Sequence, residues 1–178
     1  MARTAGRFSG FTLIELLVAL TVAALLLAVA VPSYQSLRQE QIVRAATQAV
    51  YTDMMLLKSE AIKRNKKLSL IVFNSGLSNW CYRIDIDDDG SCGSCTDTDG
   101  CSSVEGRKGA DASDFPGITL TEGYSGYPVM FSPRRGTLKN GNLALQSGDY
   151  RTKVMTSGMG RISACALSDN LGGLEPCS

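Results

Sequence analysis

Histidine is absent from all 178 residues of this chain. Its absence removes the commonest general base, the Ser-His and Cys-His nucleophile pairs, and the commonest metal ligand. Carboxylates and lysines remain, but no spacing among them builds an active-site constellation, and the expectation is a protein that is not an enzyme. A charge excess of either sign is also missing, with 18 Lys and Arg against 17 Asp and Glu. Without a global field to draw in nucleic acid or anionic lipid, any such contact must come from a local patch. Cysteine is missing before position 81, yet Cys81, Cys92, Cys95, Cys101, Cys165 and Cys177 follow. An even number of cysteines confined to the later part of a chain is the pattern of a disulfide framework in an oxidising compartment. Spacing leaves the connectivity open; the expected arrangement closes the tail through Cys165 and Cys177 and pairs the other four among themselves.

What the sequence does have is a long apolar run near its start. MARTAGRFSG is basic and free of acids, and FTLIELLVALTVAALLLAVAV follows, apolar except for Thr12, Glu15 and Thr21. As a helix this run spans about 30 Å, the thickness of a bilayer core. Arg3 and Arg7 precede it, which by the positive-inside rule leaves the N-terminus cytoplasmic and the remainder outside. Two readings compete. In the first, this is a secretory signal peptide cleaved after Ala28-Val29-Ala30. The run is longer than such a segment needs, however, and Glu15 has no use in a piece destined for removal. A carboxylate a few residues into a span costs about 2.5–3.5 kcal/mol unless it finds a partner.

In the second reading the segment is kept. Gly10-Phe11-Thr12-Leu13-Ile14-Glu15 resembles the prepilin peptidase signature. The resemblance implies cleavage after Gly10, N-methylation of Phe11 and retention of the apolar helix. It also implies an assembly role for Glu15, whose carboxylate would neutralise the terminal amine of a neighbouring subunit.

Beyond Pro32, which should kink the helix without ending it, Val43, Ala46, Val50, Met54, Leu57 and Ala61 recur at three- and four-residue steps. This spacing predicts an amphipathic helix ending near Arg64-Asn65. The period then changes to two, and residues 68–73, 80–85, 118–120, 129–131, 143–145, 151–155 and 161–165 read as strands. Asn140-Gly141-Asn142 is a tight-turn signal between them. Residues 87–114, rich in Asp, Gly, Ser and Cys, read as a long loop stapled by disulfides instead of packed by a core. Val129-Met130-Phe131-Ser132-Pro133-Arg134-Arg135-Gly136, Gly141-Asn142-Leu143-Ala144-Leu145 and Gly160-Arg161-Ile162 resemble the GspH/FimT class of minor pilins and pseudopilins.

Three further constellations carry possible chemistry. Asp85, Asp87 and Asp89, followed by Gly90, fit the start of a calcium loop, but the twelfth position is Thr96 where a bidentate Glu is required. No cofactor is expected, and calcium at this loop is weighed against a solvated acidic turn. Cys92-Gly93-Ser94-Cys95 with Cys81 and Cys101 offers four thiolates to zinc, or a redox pair, but disulfides suit the compartment better. Some FimT-type proteins bind DNA through a Gly-Arg-x-Arg motif. Here Ser163 replaces the second arginine, leaving Arg134, Arg135 and Arg161 as candidate phosphate contacts.

The expected fold is α+β, a long N-terminal helix packed on an antiparallel β-rich head, pilin-like. The expected divisions are a leader (1–10), a transmembrane and assembly helix (11–31), an amphipathic helix (32–65) and a disulfide-stapled head (66–178). The resemblance implies a minor type IV pilin that helps initiate or cap a pilus, with a type II secretion pseudopilin or a DNA-binding competence pilin as alternatives. Implied partners are other pilins through the N-terminal helix, prepilin peptidase and the inner membrane, with DNA a weaker candidate. The implied location is the inner membrane with the head in the periplasm, then the pilus at the cell surface.

Overall fold

The computed structural model describes residues 11–86, 92–96, 100–124, 128–134, 138–169 and 171–177. Helix α1 spans Leu13–Arg64 and runs through Pro32. Its contacts divide the chain into two compact units, Met1–Arg38 and Gln39–Ser178. Within the first unit every described side chain is exposed. Within the second, Val43, Ala46, Val50, Met54, Leu57 and Ala61 are at most 1% exposed, which is the stripe their spacing predicts. Burying each of the larger ones stabilises the head by about 1.5–3 kcal/mol. The helix stops where Asn65 takes a φ of +51°. The Asn65 N–H bonds the Ile62 carbonyl at 3.3 Å and the Lys66 N–H reaches back to Ala61 at 3.2 Å. That left-handed cap satisfies carbonyls the last turn would leave orphaned.

The strands are β1 (Leu68–Phe73), β2 (Cys81–Ile86), β3 (Gly109–Asp111), β4 (Thr119–Glu122), β5 (Val129–Phe131), β6 (Gly141–Ser147), β7 (Tyr150–Thr156) and β8 (Ile162–Ala166). They form two antiparallel sheets, ordered β3-β2-β1-β5 and β4-β6-β7-β8. The shared core joins the helix stripe to Leu68, Leu70, Trp80, Tyr82, Ile84, Leu120, Leu143, Leu145 and Val154. Trp80 stacks on Tyr82 and Phe115 at 6.4 and 6.5 Å between ring centroids, and its ring N–H donates to the Ile118 carbonyl at 2.7 Å. The edge of β8 is covered by the tail: Ala166 N–H donates to Glu175 and Cys177 N–H to Ala166, at 2.8 and 2.9 Å. Cys165–Cys177 fastens that cover, which blunts an edge other chains might otherwise pair with.

Two expectations need correction. Asn140-Gly141-Asn142 is not a tight turn: Gly141 opens β6, and the hairpin turns at Gly148-Asp149, between the paired Ser147 and Tyr150. Gly148 has a φ of +56°, which a two-residue hairpin favours at its first central position. Asn140 clamps instead of turning, its side-chain oxygen accepting the Gly158 N–H. The stretch 87–114 is also more than a stapled loop. It contributes β3, and Val104 and Ala110 are buried in the core at 0 and 4% exposure. At the start of β3, Gly109 has a φ of +134°, and a Cβ there would lie 1.9 Å from the Tyr82 carbonyl oxygen. Only glycine allows this short strand to lie against β2.

Candidate functional site

The first candidate is the exposed N-terminal segment. Thr12 caps helix α1: its hydroxyl accepts the Glu15 N–H at 3.3 Å, and its carbonyl accepts the Leu16 N–H at 3.2 Å. This places Glu15 in the first turn, where the helix dipole favours a negative charge. Downstream in the sequence the next basic residue after Glu15 is Arg38, roughly six helical turns further on, so no basic side chain downstream on this helix can pair with it. Around Glu15 the large apolar side chains stand open, Phe11 at 78%, Leu13 at 77% and Ile14 at 66% exposure. The Thr21 hydroxyl returns to the Val18 carbonyl at 2.8 Å, which leaves it compatible with apolar surroundings. The helix is long and apolar enough to cross a membrane. Gly10 lies outside the described residues.

The cysteines form Cys81–Cys95, Cys92–Cys101 and Cys165–Cys177. The C-x-x-C pair is therefore split between different partners, each of its sulfurs taken up in a disulfide with a cysteine outside the motif. Arg83 underlies this staple. At 4% exposure, its guanidinium donates to the carbonyl of Cys95 at 2.7 Å, to those of Tyr82 and Ala110 at 3.2 and 3.3 Å, and to the Asp111 carboxylate at 2.7 Å. One buried cation thus binds β2, β3 and the cysteine loop together, its charge met by Asp111.

The second feature was not expected from the sequence. Asp53, on the buried face of α1, accepts the Tyr82 hydroxyl at 2.7 Å and the Arg107 Nη2 at 2.8 Å through one carboxylate oxygen, while Arg107 Nε lies 2.7 Å from the other oxygen as an ion pair. Further along the same face, Lys63 and Arg64 clasp Glu60 at 2.9 and 2.7 Å, and their hydrogen bonds hold its carboxyl below the ordinary range. The available signal was an acid at stripe positions 53 and 60, where apolar periodicity calls for a core residue. Burial, then the charge and hydrogen bond of Asp53, push the Tyr82 hydroxyl well above its ordinary value. Burial also lifts Tyr124 to about 12. For Arg107, burial alone would lower the pKa, but the hydrogen bond and charge of Asp53 outweigh it and the net shift is upward.

A raised folded pKa contributes stability that is complete below the unfolded value and lost as pH rises through the folded one. The head is therefore expected to lose stability above about pH 10, where an unfolded tyrosine ionises and a buried one resists. Urea unfolding followed by Trp80 fluorescence across that range measures it. Tyr82→Phe should flatten the alkaline loss, and an unchanged slope would remove Tyr82 as its source.

The remaining candidates are dispersed. Arg134 follows β5 in one sheet, whereas Arg161 precedes β8 in the other and lines a shallow groove with Met155, Thr156, Ser157 and Ser163. Arg135 lies outside the described residues. Asp85 is fully buried on β2, while Asp87 and Asp89 lie outside the described residues. Among the described residues no cluster of three metal-ligating side chains occurs.

Comparison with known families finds two matches. Residues 46–160 match the family described as type II transport protein GspH, and residues 6–31 match the prokaryotic N-terminal methylation motif. Comparison with curated proteins and with solved structures returns no match.

Proposed function

Because the chain belongs to the GspH family and carries the N-terminal methylation motif, we propose that it is a minor pilin subunit that helps initiate or cap a type IV pilus. The observation carrying this reading is the contrast within helix α1. Its later turns complete the core of the head, while the residues from Phe11 to Gln39 are exposed and largely apolar around one carboxylate. A membrane covers such a surface before assembly, and the helices of other pilins cover it afterwards. Residues 1–10 act as the leader, 11–31 as the membrane and assembly helix, 32–65 as its amphipathic continuation, and 66–178 as the head. Prepilin peptidase cuts between Gly10 and Phe11, and the head matures in the periplasm, where its three disulfides form.

Intact mass and N-terminal sequencing of the chain recovered from membranes test this. The expected product begins at N-methylated Phe11 and contains three disulfides. A chain beginning at Val31 would instead make it an ordinary secreted protein. A second reading, the minor pseudopilin of a type II secretion system, has the description of the matched family in its favour. It shares the spine and differs in partners, so co-purification with pilus or with secretion subunits separates the two.

A further inference from the structure

Just past the end of helix α1, the head carries an open groove outside the N-terminal segment. The groove, of about 370 Å³, is floored by Met130, Phe131 and Leu138 and bounded by Lys67, Ser132 and Lys139. Met130 turns outward from β5 between the buried Val129 and Phe131. Lys139 links the groove to the β7–β8 hairpin: its carbonyl accepts the Thr156 hydroxyl, and the adjoining Asn140 side chain accepts the Gly158 N–H. At the tip of that hairpin Met159 is 92% exposed.

The tip is held by hydrogen bonds. Gly160 N–H donates to Ser157 at 2.8 Å, Ser157 N–H to Arg161 at 2.9 Å, and the Lys58 ammonium to the Gly160 carbonyl at 2.7 Å. An apolar side chain displayed on an already hydrogen-bonded turn docks without the entropy loss of fixing a loose loop. Lys67, Arg134 and Arg161 are exposed cations of the flanking segments. Lys67 is exposed and lines the groove, which places its ammonium to meet an incoming carboxylate. A nucleic-acid backbone asks mainly for surface charge, and single strands ask for exposed aromatic plates. An apolar floor with a cationic rim is better matched by a polypeptide carrying apolar and acidic side chains together.

We propose that the groove and the Met159 hairpin dock an acidic segment of another polypeptide, with an apolar side chain entering between Lys67 and Lys139 and a carboxylate pairing with Lys67. This docking is separate from the role of Glu15, and either can fail without the other. The test uses the full chain in nonionic detergent micelles and the fluorescein-labelled peptide Glu-Glu-Phe-Glu-Glu, with empty micelles as the blank. Anisotropy should saturate. Lys67→Glu and Met159→Asp should each weaken binding by about tenfold, and a version with glutamine in place of glutamate should bind more weakly. Both substituted positions are exposed, and Trp80 fluorescence confirms that each variant is folded. The proposal is overturned if binding does not saturate, if both variants bind as the parent does, or if double-stranded DNA displaces the peptide more effectively than unlabelled peptide. That last result would make the face a nucleic-acid site.

Discussion

Glu15→Ala is expected to leave cleavage and membrane insertion intact while removing the chain from sheared filaments. Alanine makes the segment more apolar, so insertion is helped if anything. Cleavage is expected to leave a charged amine on Phe11, close to Glu15 of the same or a neighbouring chain. In apolar surroundings either charge alone is costly, and a pair is favourable when its geometry and remaining hydrogen bonds are satisfied. Leaving the carboxylate unpaired costs about 2.5–3.5 kcal/mol, and since one tenfold factor is about 1.4 kcal/mol, the bias toward docking in register is on the order of a hundredfold. Quantitative immunoblotting of sheared filaments against membranes measures it. Glu15→Gln separates charge from shape and should fail like alanine. Thr12→Ala removes the cap while leaving the carboxylate, and should be milder. Recovery of Glu15→Ala in filaments at the parental level would end the charge-pairing mechanism.

Arg107→Met is expected to destabilise the head by about 3–5 kcal/mol, because it strands the Asp53 carboxylate in the core. Asp53 is 1% exposed, whereas the Arg107 side chain is 49% exposed, so the two deletions are not equivalent. Removing Asp53 leaves a guanidinium that water can reach and one unpaired Tyr82 hydroxyl. Asp53→Asn should therefore cost less, about 1–3 kcal/mol, the penalty of an imperfectly satisfied buried polar group. The double variant should fall well short of the sum of the two single losses, since the charge that Arg107→Met strands is no longer there. Urea unfolding of the full chain in detergent, read through Trp80, gives all three values. Losses that add to within about 0.5 kcal/mol would mean that the two side chains do not depend on each other.

The same network shows why part of the head could not be read in advance. Val43, Ala46, Val50, Met54, Leu57 and Ala61 declare the buried face of the helix by spacing alone, because a helix brings residues three and four apart onto one side. Asp53 lies on that face, but its partners are Tyr82, 29 residues away, and Arg107, 54 residues away. No local period links such positions. Strand β3 was missed for a related reason. Three residues beginning with glycine carry no β-propensity of their own, and they become a strand by pairing Gly109–Asp111 with Cys81–Arg83. The turn sits at Gly148-Asp149 although Asn-Gly and Gly-Asp are both good turn formers, because the choice falls to the register that buries Leu143, Leu145 and Ser147.

Whatever depends on composition or on neighbours a few residues apart is legible in the amino-acid order. That covers the apolar helix with its solitary Glu15, the amphipathic continuation to Arg64, the disulfide chemistry implied by six late cysteines, and the β-rich character of the head. The tertiary structure alone decided the division of the strands into two sheets, the pairing Cys81–Cys95 and Cys92–Cys101, the burial of Arg83 beneath that staple, the Asp53–Tyr82–Arg107 network and the groove beside Lys67. Each of these joins residues far apart along the chain. Their meeting is set by which long loops close and which apolar faces are buried together, a choice made by the whole fold and not by any segment of it.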